Sequence, residues 1–204
     1  MTINNGYATL AEYKAWNTID TTSAGDDAVI EDIIESISRQ IDTHCGRVFY
    51  VSSVVARYFN TADYDLLFCD DISSTTSLVI ETDNDGDGTY EATWAATDYN
   101  LLPYQADNGW PYTMIEITNN GNNIFSTARK GNKITALWGF AAVPDDVKTA
   151  CLIGVDAEYH ARNGQNLSTD TNITAAGVVI TPRGLPKSAI DKLKPYKRKT
   201  RVSF

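Results

Sequence analysis

The sequence has little of what protein chemistry most often draws on. Among 204 residues there are two histidines, three cysteines and two methionines. His44 and His160 stand far apart, each near the end of a predicted helix, where a cation suits the helix dipole better than a reaction. Cys45, Cys69 and Cys151 are widely spaced, and an odd count without a CxxC pair argues against a disulfide framework and a zinc site. Free, buried thiols in a reducing compartment are expected instead. No P-loop, GxGxxG, HExxH or nucleophile-elbow serine occurs. No run of eighteen apolar residues occurs, so no helical membrane span is expected. The first nine residues are polar and lack a basic stretch followed by an apolar one, so no secretory signal is expected either. Nothing here recommends an enzyme.

Charge is present but unevenly placed. The chain holds 17 basic and 26 acidic residues, a net −9. From Pro182 to Phe204 there are eight basic residues and one acidic residue, Asp191. An acidic body with a basic end implies that the end has a partner of its own. Residues 182–204 are therefore read as an extended docking tail, loosely attached and dispensable for folding. Its contact residues are Lys187, Ile190, Lys192, Leu193, Lys194, Lys197, Arg198, Lys199 and Arg201. A short helix from Pro186 to Leu193 would present Leu185, Ala189, Ile190 and Leu193 as its apolar face.

The strongest periodic signal lies between Asp27 and Phe49. Ile30, Ile33, Ile34, Ile37 and Ile41 recur at helical spacing and share one face. Glu31, Asp32, Glu35, Arg39, Gln40 and Asp42 fall mostly on the other. Asp26 or Asp27 supplies the N-cap, and Gly46 the stop. Before it, Thr9-Leu10-Ala11-Glu12 fits a capping box opening a short helix. After Phe49 the period changes. Val51–Phe59, Leu66–Phe68, Leu78–Thr82, Thr89–Trp94, Asp98–Pro103, Thr113–Ile117 and Lys133–Trp138 read as strands parted by turn residues. Helix returns at Val143-Pro144-Asp145-Asp146, with proline at the first helical position and acids in the first turn.

The expected fold is α+β. Residues 1–48 and 141–181 form a helical bundle body. Residues 50–140 are an inserted antiparallel β domain, a small barrel or sandwich.

One acidic stretch bears on metal binding. Asp83-Asn84-Asp85-Gly86-Asp87-Gly88 places carboxylates at positions 1, 3 and 5 and glycine at 6 of a calcium-type loop, with Glu91 at position 9. Position 12 is Trp94, where an EF-hand needs glutamate, and the flanks are strands, so this is no EF-hand. Asp83, Asp85, Asp87 and Glu91 are the expected ligands if calcium binds. The same residue types also make a plain hairpin turn.

The order of several motifs resembles a known family. Ile33-Ile34-Glu35-Ser36-Ile37-Ser38-Arg39-Gln40-Ile41-Asp42, then His44-Cys45-Gly46-Arg47 and Phe49, is similar to the first core helix of the tailed-phage head–tail connector proteins, also called adaptor or head-completion proteins. A β region follows, then Thr135-Ala136-Leu137-Trp138-Gly139-Phe140 leading into Val143-Pro144-Asp145-Asp146-Val147-Lys148 and a helix ending near Arg162. The resemblance covers most of residues 6–163. It implies a structural virion protein, assembled in the host cytoplasm and residing in the phage neck. Such proteins form a ring, commonly of twelve subunits, under the portal. The ring extends the channel for DNA, which passes without sequence readout, and offers a docking surface to the stopper or tail. The C-terminal segment in such proteins reaches the portal. The alternative reading is a calcium-stabilised β-domain module that recognises a glycan or cell surface.

Overall fold

A computed structural model describes residues 3–18, 24–104, 109–119, 121–162, 172–173, 179–180 and 184–198. The fold is mixed α+β and divides into two compact units, Met1–Phe49 with Val143–Phe204, and Tyr50–Ala142. Among the described residues no helix is long and apolar enough to cross a membrane.

The first unit holds four helices among its described residues: α1 Leu10–Trp16, α2 Asp27–Cys45, α3 Asp145–Arg162 and α4 Lys187–Leu193, the last running into a 3-10 turn at Lys194–Tyr196. A short antiparallel pair, β8 Asn172–Ile173 and β9 Val179–Ile180, lies between α3 and α4. α1 opens on the expected capping box: Thr9 Oγ1 accepts from the Glu12 amide (3.2 Å), and Glu12 Oε2 accepts from the Thr9 amide (2.8 Å). α2 begins differently from expectation. Asp26 occupies the N-cap position but makes no capping bond. Its carboxylate accepts from the Tyr159 hydroxyl (2.7 Å), and Asp27 pairs with the buried Lys14 ammonium (2.6 Å). A tyrosine and an ammonium from neighbouring helices outcompete the local amides. Gly46 ends α2 in the left-handed conformation, as the sequence predicts.

All five isoleucines of α2 are buried. Each such side chain stabilises the fold by roughly 1.5–3 kcal/mol. They pack on α3 through Val147, Ala150, Cys151 and Val155, all fully buried. Gly154 sets the spacing: a Cβ there would lie 2.8 Å from Ile37 Cγ2 and 3.3 Å from Leu185 Cδ2.

The polar edge of α2 is also used. The Asn4 amide donates to Glu35 Oε2 (3.1 Å), Arg39 Nη2 donates to the Asn5 carbonyl (2.9 Å), and the Tyr7 amide donates to Ser38 Oγ (3.0 Å). The buried Tyr7 hydroxyl donates to Asp42 and accepts from the Phe49 amide (2.9 Å). Burial first, then the hydrogen bond to Asp42, push the Tyr7 phenol above its ordinary range. Residues 4–7 are thereby clipped along α2.

The second unit is antiparallel β. β1 Val54–Phe59, β7 Asn132–Leu137, β3 Val79–Thr82 and β4 Ala92–Thr93 form one sheet in the order β1-β7-β3-β4. β2 Leu66–Ile72, β6 Tyr112–Ile117 and β5 Tyr99–Leu102 form a second in the order β2-β6-β5. Along β7, Asn132, Ile134 and Ala136 are buried, alternating with half-exposed Lys133, Thr135 and Leu137. Ile134 and Ile80 of one sheet share a core with Leu67 and Ile115 of the other. The sheets join at one corner, where Ile72 bridges Trp138 and the Gly139 amide donates to the Asp71 carbonyl (2.7 Å). The buried indoles keep partners: Trp138 Nε1 donates to the Val55 carbonyl (2.8 Å) and Trp94 Nε1 to Thr82 Oγ1 (3.2 Å).

The α2–α3 packing yields a test. Gly154→Val adds three carbons where a single Cβ already meets Ile37. Chemical denaturation is expected to show a loss of about 2–3 kcal/mol, the range for overpacked cores. The modest helix gain over glycine, about 0.5 kcal/mol, does not offset it.

Candidate partner and metal sites

The acidic stretch forms the β3–β4 connection. Gly86 and Gly88 take positive φ, +81° and +93°, conformations that favour residues without a Cβ. Asp83 is buried and organises the loop. Its Oδ1 accepts from the Gly86 amide (2.7 Å) and its Oδ2 from the Gly88 amide (2.9 Å). Asp85 accepts from the Asp87 amide (3.2 Å), Asp87 from the Thr89 amide (2.6 Å), and Glu91 from the Asn84 amide (3.4 Å). Burial tends to raise the Asp83 pKa, but the Gly88 and Gly86 amides outweigh it and hold the carboxyl below its ordinary value.

One carboxylate oxygen from each of Asp83, Asp85, Asp87 and Glu91 lies within 4.8 Å of all the others. These are the four residues the sequence puts forward. Oxygen donors at that spacing suit a hard divalent cation. The donor set fits calcium in kind, with one reservation built into the geometry: both Asp83 oxygens already serve the backbone. Asp85, Asp87 and Glu91 are exposed and face solvent.

The basic segment is a correction. Over residues 184–198 it is not a loose tail. Ala189 and Leu193 are fully buried, and α4 packs on α3. Leu193 therefore belongs to the core of its own unit, not to a docking face. Ile190 is half-buried. Lys192 Nζ pairs with Asp146 of α3 (3.2 Å), and Lys194 Nζ with Asp191 (2.6 Å). The Tyr196 ring meets Phe49 edge-on at 5.7 Å, and the Arg198 amide donates to the Cys45 carbonyl (2.8 Å). The cause is the apolar stripe of α4 itself. Leu185, just ahead of α4, lies against Gly154 of α3, and Ala189 and Leu193 of α4 are buried. Removing residues 182–204 would take the buried Ala189 and Leu193 out of this core, a cost the sequence expectation of an intact fold does not include. Lys187, Lys194 and Lys197 are exposed. Lys199 and Arg201 lie outside the described residues.

Other expectations concern single residues. All three cysteines are free and buried. His160 Nε2 lies 3.2 Å from Asp156 of the preceding turn of α3.

Sequence reasoning missed a groove in the β unit. It has a volume of about 540 Å³ and is lined by Thr75, Leu78, Tyr99, Leu101, Tyr104 and Tyr112 among others. The tyrosines recur at no fixed period, so only pairing β5 with β6 brings them together.

No known family profile matches the sequence, and no curated protein does. Chains of solved gene transfer agent (GTA) particles share the fold. One, in the neck of an empty GTA particle computed with C6 symmetry, superposes with a TM-score of 0.56 at 17% identity, covering 100% of this chain and 95% of that one. Another, in the neck of a native GTA particle computed with C12 symmetry, gives 0.53 at 16% identity, with 100% and 94% covered. A chain of the native GTA virion gives 0.50 at 17% identity, with 100% and 95% covered.

The Asp83 geometry fixes a pH dependence. A carboxyl held below its unfolded pKa adds stability above about pH 4 and loses it as pH falls through the depressed value. Thermal melting between pH 6 and pH 2.5 is expected to show a shallower acid-side loss for Asp83→Asn than for the parent chain.

Proposed function

We propose that this chain is a structural, non-catalytic subunit of the neck of a tailed-phage-like particle. Copies assemble into a ring, of twelve in the virion, that joins the portal to the stopper or tail and prolongs the DNA channel. One observation carries the reading: the likeness in fold to GTA neck chains extends over the whole length of this chain. The motif order of the head–tail connectors, running from Ile33 to Arg162, agrees with it independently. The acidic balance of the chain fits a conduit, since phosphate attraction slows a sliding polyanion. The exposed side chains of Lys187 and Lys197 supply salt-sensitive steering toward an adjoining ring.

Native mass spectrometry tests this directly. The purified chain is to be mixed with a cognate portal ring at low salt. A discrete complex with twelve added subunits is the expected result. A chain that remains monomeric and unbound at tens of micromolar would refute the reading.

The convergence of four carboxylates favours a second, compatible role: calcium binding at the β3–β4 hairpin that stiffens the β unit. The expected affinity is weak, because Asp83 is committed to the backbone. Calcium at about 1–10 mM, above the dissociation constants of about 0.1–1 mM of weak extracellular-type sites, is expected to raise the melting temperature, and Asp85→Asn with Asp87→Asn to abolish the rise. Calorimetry without heat, together with an unchanged melting temperature, rejects the role.

A further inference from the structure

The groove of the β unit is built from uncharged side chains. None of the described residues that line it is acidic or basic. Its lining instead gathers Tyr99, Tyr104 and Tyr112 with Thr75, Asn100 and Leu78. Leu78, Tyr99 and Tyr112 pack against the core while staying partly exposed, so their positions are set by the fold. Tyr104 stands 69% exposed, yet its hydroxyl donates to Glu116 Oε2 (2.5 Å), which ties the ring down. A ring fixed in advance loses little freedom when a ligand settles on it.

The polar groups of these residues lack internal partners. Among the described residues no hydrogen bond engages the hydroxyls of Thr75, Tyr99 and Tyr112 or the side-chain amide of Asn100. The Tyr99 and Tyr112 hydroxyls both reach solvent. A hydroxyl can donate and accept, and a primary amide offers two donors and a carbonyl oxygen. Burial holds the Tyr99 phenol above its ordinary pKa, so it remains a donor at neutral pH.

That chemistry decides among ligands. A nucleic-acid strand needs cations along its phosphates, and the groove has none among its described residues. An ion of either sign would lose hydration with no counter-charge to replace it. A wholly apolar molecule would cover polar groups and leave them unpaired. A sugar meets both halves of the lining. Its hydroxyls donate and accept, and the weakly positive C–H face of a pyranose settles on the negative face of an aromatic ring. The volume of about 540 Å³ falls within the roughly 300–1,000 Å³ of small-molecule sites. An uncharged peptide is the rival occupant, because β5 lies at the edge of its sheet.

We propose that this groove binds a neutral oligosaccharide, with one pyranose face on the Tyr104 ring and sugar hydroxyls on the polar groups of Thr75, Tyr99, Asn100 and Tyr112. The site does not depend on assembly into a ring. None of the four hairpin carboxylates lines it, so binding proceeds without calcium.

Saturation-transfer difference NMR on the full chain tests this. The probes are maltotriose, cellotriose and tri-N-acetylchitotriose, each at millimolar concentration with EDTA present. Transfer to at least one of them is expected. That sugar is expected to bind about tenfold more weakly to Tyr104→Ala, which removes the platform, and several-fold more weakly to Tyr112→Phe, which removes one hydroxyl. Tyr104→Phe keeps the ring and is expected to bind within about threefold of the parent. All three variants alter groups that reach solvent and are expected to melt within about 2 °C of the parent. Should Tyr104→Ala melt lower, Tyr112→Phe carries the test, because its hydroxyl serves no bond of the described fold. Transfer to none of the three sugars overturns the proposal, as does binding that both Tyr104→Ala and Tyr112→Phe leave unchanged. Stronger transfer to the uncharged peptide Ser-Gly-Val-Gly-Ser than to any sugar overturns it in favour of strand addition.

Discussion

The first unit depends on how closely α2 and α3 approach. Gly154 is the residue that permits it, because any Cβ at that point would enter the volume of Ile37. With that spacing set, the isoleucine stripe of α2 and Val147, Ala150, Cys151 and Val155 of α3 are all withdrawn from solvent. The same absent side chain leaves room for Leu185, just ahead of α4, which packs on α3. One missing methyl thus positions three helices. The N-terminal clip then seals the remaining edge, with the Tyr7 hydroxyl joining Asp42 to the Phe49 amide.

Much of this was legible beforehand, and the reasons are specific. A helix with isoleucine at five spaced positions has one way to lie. Capping at Thr9 and termination at Gly46 are local events that require only a few consecutive residues. The strands showed because alternation and turn residues are also local signals. What escaped was nonlocal. Asp26 and Asp27 are good caps in isolation, yet Tyr159 and Lys14 claim them from elsewhere in the chain. Glu35, Arg39 and Asp42 read as solvent-facing, but residues 4–7 lie along them.

The candidate sites divide the same way. The acidic hairpin was legible because its four carboxylates lie within nine residues, and a tight loop must bring them near one another. The basic segment misled because net charge describes an average. Its lysines are spread around a helix whose other side carries Ala189 and Leu193, and burying those side chains outweighs the solvation of the cations. The groove escaped because residues from three separate stretches of chain line it.

The first unit is discontinuous, with residues 50–142 interposed between its halves. Emergence from the ribosome is therefore out of step with packing. The β unit can complete itself as soon as β7 is made, while the isoleucine face of α2 still lacks its partner helix. About a hundred residues separate the end of α2 from the middle of α3, roughly 5–20 s of synthesis at about 5–20 residues per second. Throughout that interval a wide apolar stripe is uncovered. The chain's vulnerability to misassociation and its demand for chaperones should therefore peak before α3 appears, and be governed by α2 alone.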